Sequence, residues 1–100
     1  MEQVFINLVK NALEAMKNTL NPKLTISTSL LEGKMIISVK DNGMGIEQDK
    51  IDDIFIPFYT SKENGSGIGL SLVKQIINLH KGSINVNSEH QVGTEFQIIL

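Results

Sequence analysis

The chain has 100 residues, 41% hydrophobic and 20% charged, the balance of one compact soluble domain and too little chain for two. It has no cysteine, which excludes a disulfide framework, a thiolate zinc site and thiol catalysis and leaves oxygen and nitrogen as the only metal ligands. A formal net charge of -2 with mixed signs gives no field that would draw in nucleic acid or acidic lipid, and no apolar run approaches the roughly 18 residues of a membrane span.

Val4, Phe5, Leu8, Ala12, Ala15 and Met16 follow helical spacing, and no Gly or Pro interrupts the chain before Pro22. This predicts a helix from residue 1 to about residue 20. Asn7, Lys10, Asn11 and Glu14 recur at i, i+3, i+4 and i+7, so they share its opposite face. After Asn21-Pro22, the alternation of Leu24, Ile26, Thr28 and Leu30 predicts a half-buried strand over 24–31. Glu32-Gly33-Lys34 reads as a turn and 35–40 as the second strand of an antiparallel hairpin. The loop Asp41-Asn42-Gly43-Met44-Gly45-Ile46 precedes a short acidic helical stretch near 47–54, and 55–69 reads as one long irregular connection. Leu70, Val73, Ile77 and His80 restore the helical period, which Lys81-Gly82 ends with a basic last turn and a C-terminal Gly. Residues 83–88 and 94–100 predict two strands joined through His90 and Gly93, the second with Phe96, Ile98 and Leu100 on one face.

Four constellations have residue types suited to chemistry. Two amides one helical turn apart, Asn7 and Asn11, can direct carbonyl oxygens at one Mg²⁺ that also holds phosphates and water, although Asn is common on solvated helix faces and the spacing alone decides nothing. A carboxylate at a strand end, Asp41, can accept a hydrogen from the exocyclic amino group of adenine, where guanine presents a carbonyl; the competing reading of its Asn-Gly is a plain turn. Gly65, Gly67 and Gly69 before a helix expose amides to phosphate at the positive end of the dipole, or else form a flexible linker. This stretch lacks the Lys-Ser/Thr ending of a P-loop, and no strand immediately precedes it as in a dinucleotide fold. Phe55 and Phe58 either anchor a loop that closes over a ligand, with Lys62 reaching an anion, or form a satellite of the core.

Taken in order, the amide pair, the carboxylate-glycine turn, the Phe-x-x-Phe loop and the glycine-rich helix start are the metal, base, lid and phosphate elements of a nucleotide pocket. That order resembles the catalytic and ATP-binding domain of bacterial sensor histidine kinases, in the wider group of gyrase, heat-shock chaperone, histidine kinase and mismatch-repair ATPases. The resemblance covers essentially the whole chain: 3–16 resemble the N box, 41–46 the first Gly box, 55–62 the F box, 65–70 the second Gly box, and Gly93-Thr94-Glu95-Phe96 the last motif. The Asn-Ala-Leu-Glu-Ala-Met wording, with Glu14 where many kinases have a basic residue, resembles the nitrogen-regulation and sporulation kinases.

The resemblance implies an α+β two-layer sandwich, a mixed and largely antiparallel sheet covered on one face by helices. It implies ATP and Mg²⁺ as ligands, with Asn11 holding the metal, Asp41 contacting adenine and Thr94 near the base. The backbone of Gly43, Gly45, Gly65, Gly67 and Gly69 then approaches the nucleotide, and Ile46, Phe55, Phe58, Thr60, Ile68 and Leu70 belong to the same boxes. ATP-hydrolysing members carry Glu at the position of Asn7; an amide cannot take a proton from water, so Asn7 favours phosphoryl transfer to a nucleophile supplied elsewhere, with Lys10 and Lys62 as candidate cations. His80 and His90 fit structural roles, and the resemblance implies an acceptor histidine on a separate upstream dimerisation domain and a response regulator downstream. No nucleic acid or direct membrane contact is expected of this segment, and a cytoplasmic location is. The family domain begins with a strand before the N box, so residues 1–100 are expected to be a domain lacking that strand, with an unpaired sheet edge. An ATP-hydrolysing or non-catalytic nucleotide-sensing module of the same fold is the alternative.

Overall fold

The computed structural model describes residues 1–57 and 69–100. Helix α1 (Glu2–Ala15) is followed by strands β1 (Leu24–Leu31) and β2 (Lys34–Asp41), a 3₁₀ helix (Gln48–Asp53), helix α2 (Gly69–Leu79), and strands β3 (Ser83–Glu89) and β4 (Gly93–Ile99). The strands form one antiparallel sheet in the order β1-β2-β4-β3. The expected two-layer sandwich is therefore present, and every strand pairing described is antiparallel.

The core lies between the helices and the two central strands. Val4 and Leu8 of α1, Val73 and Ile77 of α2, Ile37 and Val39 of β2, and Phe96 and Ile98 of β4 are buried together. The register explains this: Ile37 faces Ile98 and Val39 faces Phe96, so the alternate residues of both strands point to the helix side. Burying such side chains supplies about 1.5–3 kcal/mol each, the main term favouring the fold.

Three boundaries depart from expectation. Helix α1 stops at Ala15 rather than near residue 20 because the Ala15 carbonyl accepts the Met44 amide at 3.0 Å and the chain leaves helical geometry at Met16 (φ -97°, ψ 1°). Helix α2 ends at Leu79, and Lys81 rather than the glycine takes the left-handed conformation, with φ 61°. The Gly82 amide reaches the Ile77 carbonyl at 3.0 Å and the Lys81 amide that of Asn78 at 3.0 Å, the paired closure of a Schellman stop. His80 and Lys81 thus lie past the helix, and no basic residue occupies its last turn. Leu100 falls just outside β4 and is exposed.

The hairpin is where the sequence placed it, with Glu32 and Gly33 both at positive φ between the paired Leu31 and Lys34. Its first strand, however, is not half-buried. Only Leu24 of β1 is partly covered; Ile26 is 52% and Leu30 76% exposed although they point to the helix side. The sheet is wider than its two helices, and β1 lies at the uncovered edge.

Candidate functional site

The site is built where β2 ends and β4 begins. Asp41 is the last residue of β2 and Thr94, in β4, is its cross-strand partner, so both side chains share the helix face of the sheet. They are the buried polar residues among those described, 6% and 5% exposed. Burial pushes the Asp41 carboxyl above its ordinary value of 3.8, and hydrogen bonds from the backbone amides of Gly43 and Thr94 oppose that rise. The Gly43 amide donates to Asp41 Oδ1 at 2.8 Å, so the carboxylate is fixed by its own loop.

That loop is clamped from three sides. Asn42 Oδ1 accepts the Lys23 amide at 2.8 Å, and Asn42 Nδ2 donates to the Asn21 carbonyl at 3.1 Å, which ties the loop to the start of β1. A Cβ on Gly43 would lie 2.5 Å from the Ala15 carbonyl oxygen, so only glycine lets the loop lie against the end of α1. Gly45 has φ +71°, and its missing side chain makes room for the backbone at Glu89. The Gln91 amide donates to the Met44 carbonyl, and the Ile46 amide to Ser88 Oγ at 2.8 Å. Of the two readings open for this segment, a plain hairpin turn does not hold: the loop leads from the sheet to the 3₁₀ helix and packs against two other elements.

Ser88 escaped the reading of the sequence. Its hydroxyl also donates to the Gly93 carbonyl at 3.0 Å and lies 2.8 Å from Thr94 Oγ1. The signal was available, because Ile84, Val86 and Ser88 alternate on one face and the third is a hydroxyl where the period calls for an apolar residue.

On α1, Asn7 and Asn11 are half-buried, whereas Lys10 and Glu14 are exposed on the same side of the helix. Asn7 Nδ2 is buried with no hydrogen-bond partner among the described residues. Asn7 Oδ1 would lie 3.8 Å from a Cβ on Gly69, the first residue of α2, so the N-box side of α1 faces the start of the second glycine-box helix. An unsatisfied buried amide donor fits a phosphate oxygen, and neutral amide oxygens fit a hard cation already bound to phosphates. No cluster of three His, Cys, Asp or Glu suited to a metal occurs among the described residues, so a cation here would depend on such a mixed set.

Phe55 follows its satellite-core reading: it packs edge-on against Phe96 with ring centroids 6.4 Å apart, and Lys74 Nζ lies 5.3 Å from its centroid. Leu70 is half-buried and packs against the core. Phe58, Thr60, Lys62, Gly65, Gly67 and Ile68 lie outside the described residues. A hollow of about 520 Å³ between Phe55, Lys74 and β3, and one of about 330 Å³ behind Gly43, contain neither Asp41 nor Asn7. The site is therefore marked by its buried polar groups. No helix among the described residues is long and apolar enough to cross a membrane.

The chain is similar to known proteins over its whole length. The family described as histidine kinase-, DNA gyrase B-, and HSP90-like ATPase matches residues 1–100. The chain is 49% identical over its full length to sporulation kinase D of Bacillus subtilis, of which it spans 19%, and 39% identical to the signal transduction histidine-protein kinase AtoS of Escherichia coli, of which it spans 16%. Among solved structures, the catalytic domain of histidine kinase ThkA superposes with a TM-score of 0.82 at 35% identity, covering 98% of this chain and 63% of that one. Full-length ShkA in complex with AMPPNP gives 0.84 at 26% identity, covering 97% of this chain and 20% of ShkA. The chain belongs to the histidine kinase-, DNA gyrase B- and HSP90-like ATPase family, and within it to the catalytic domains of sensor histidine kinases.

Proposed function

We propose that this domain binds Mg·ATP and transfers the γ-phosphoryl group to a histidine on a separate dimerisation domain of a two-component system, with a response regulator as the next acceptor. The observation that carries the nucleotide part is the buried Asp41 carboxylate, held by two backbone amides at the end of β2. A carboxylate there accepts a hydrogen from a 6-amino purine and opposes a 6-oxo one. The AMPPNP held by ShkA supports an adenine nucleotide as the ligand.

Transfer rather than hydrolysis is supported by Asn7. It stands where the hydrolysing members carry Glu, and an amide has no basic lone pair with which to deprotonate water. Phosphoryl transfer asks the protein mainly for alignment and charge neutralisation. Asn11 and Asn7 are suited to hold a Mg²⁺ together with the phosphates; the cation supplies charge neutralisation there. Asn7 Nδ2 gives a phosphate oxygen the donor that the fold leaves unpartnered. Lys10 and Lys62 are the proposed further cations, and Gly65, Gly67 and Gly69 the proposed phosphate cradle. Phe58, Thr60, Ile68 and Leu70 complete the proposed nucleotide surroundings, and the domain acts on the cytoplasmic side.

Thermal unfolding with ATP, GTP or no nucleotide, each with and without Mg²⁺, tests the reading. A ligand at 100 times its Kd adds about 2.7 kcal/mol, a shift of several degrees for a domain of this size. The expected result is a Mg²⁺-dependent shift with ATP, not with GTP, that Asp41→Asn abolishes. Equal shifts with both nucleotides would remove the adenine assignment.

A further inference from the structure

The hydroxyl of Ser88 sits at a junction of the site without belonging to any of the boxes. Its Oγ meets three groups at hydrogen-bond distance: the Ile46 amide at 2.8 Å, the Gly93 carbonyl at 3.0 Å and Thr94 Oγ1 at 2.8 Å. A serine hydroxyl has one proton to give and two lone pairs with which to accept. The amide is necessarily a donor and the carbonyl necessarily an acceptor, so the Ser88 proton goes to Gly93 and the first lone pair to Ile46. The third contact is then satisfied in one way only, with the Thr94 hydroxyl donating to the second lone pair of Ser88. Reversing it would take the Ser88 proton from the Gly93 carbonyl.

This assigns the state of Thr94. With its proton committed to Ser88, its Oγ1 has only lone pairs left for a ligand. Thr94 is paired with Asp41 across the strands, and both are buried on the helix face. The head of the sheet therefore presents two acceptors side by side, a carboxylate and a hydroxyl stripped of its donor. A 6-amino purine brings two N–H groups at C6 to such a pair, directly or through a water; a 6-oxo purine brings an acceptor at C6 and carries its hydrogen on N1 instead, so acceptors aimed at the C6 substituent are left unpaired.

We infer that Ser88 is a positioning residue for purine selectivity: by holding the proton of the Thr94 hydroxyl it keeps the site in an acceptor-only state that favours adenine over 6-oxo purines. This deepens the nucleotide reading above and rests on it. Ser88 touches no base itself. Its anchor to the Ile46 amide makes the same atom a fastener of the glycine loop that carries Asp41, so the loop position and the proton direction are set together.

The test measures the affinity of the wild-type chain and of Ser88→Ala for ATP and for inosine triphosphate, which has a carbonyl in place of the C6 amino group and a hydrogen on N1. In the alanine variant the Thr94 hydroxyl is free to turn its proton toward a ligand. Thr94 Oγ1 keeps its lone pairs, so ATP binding is expected to change by less than about 3-fold, while inosine triphosphate gains a donor facing its C6 carbonyl and binds better, so that the preference for ATP falls about 3- to 10-fold. Ser88→Thr, which keeps the hydroxyl, should restore the preference. If the alanine variant does not fold, Ser88→Cys fills the same space with a weakly hydrogen-bonding group and should give the same loss of preference. Equal weakening for both nucleotides would overturn the inference, because it would reduce Ser88 to a fastener of the loop, while leaving the nucleotide reading in place. A wild-type chain that binds neither nucleotide would overturn that reading and the inference with it.

Discussion

The two edge strands, β1 and β3, read alike in the sequence and differ in the structure. Both alternate apolar and polar residues, and in each an isoleucine is paired with a buried residue of a central strand: Ile26 with Val39, Ile84 with Ile98. Yet Ile84 and Val86 pack against the core under α2 and Phe55, whereas Ile26 and Leu30 are bare. Alternation reports that a strand has two unlike faces and carries no information on which layer covers them. Two helices cover β2, β4 and β3, and the site has developed at that covered end: Ser88 of β3 and Gln91 of the turn after it hold the loop that carries Asp41. The bare edge has no charge in its eight residues to discourage pairing with another strand.

The largest expected effect breaks that comparison directly. Ile84→Asp puts a carboxylate into a packed position and should cost about 2–4 kcal/mol. Ile26→Asp, the same change beside an equally buried partner, should alter stability by no more than about 0.5 kcal/mol and reduce any association through the edge. Chemical denaturation of the two variants and their sedimentation at high concentration decide it. Equal losses would mean that β1 is covered in solution.

Next in size is Gly43→Ala, where the added methyl meets the backbone of Ala15 rather than a side chain able to swing away. Forcing the loop off the end of α1 should cost about 1–3 kcal/mol, with a larger loss of ATP affinity than of stability, since the shift moves Asp41. A matched Gly33→Ala in the β1–β2 hairpin has nothing within 4 Å of the new atom, and its penalty comes only from the left-handed φ of 79°. It should leave nucleotide affinity untouched. The pair thus separates a loop that supports the site from one that only connects strands.

How much of this was legible in the sequence follows from the same contrast. The strands and the hairpin were readable because their period and the Glu32-Gly33 turn are local properties. The four boxes were readable because their order carries more information than any one of them. Features set by distant parts of the chain were not. The end of α1 is decided by a hydrogen bond from Met44, 29 positions away in the chain, which no helix propensity encodes. Phe55 had two readings, lid anchor or core, and only the position of Phe96 across the sheet places it against the core. Ser88 lies between these cases: its odd place in the apolar alternation was visible, but its three partners come from a loop and a strand that only the fold brings together.

The smallest expected effect concerns Asp41, which joins the two halves of the comparison because it pairs with Leu24 of β1 on one side and Thr94 of β4 on the other. Burial raises its pKa above 3.8 in the folded chain, so over the window from 3.8 up to the raised value the folded state binds more protons than the unfolded one. Stability from this group is then greatest at low pH and falls as pH rises through the window, the opposite of a salt-bridged carboxylate. Asp41→Asn has no charge to desolvate, and its stability relative to wild type should rise from pH 3.8 toward neutrality and level off above the raised pKa. Asn also brings an NH₂ group toward backbone donors, so the informative quantity is the slope with pH rather than the offset at any one value. Thermal midpoints of both proteins across pH 3.5 to 7.5, without nucleotide, read that slope. If the variant instead loses ground as pH rises, the amides of Gly43 and Thr94 outweigh burial, and the carboxylate is held ionised by its loop before any base arrives.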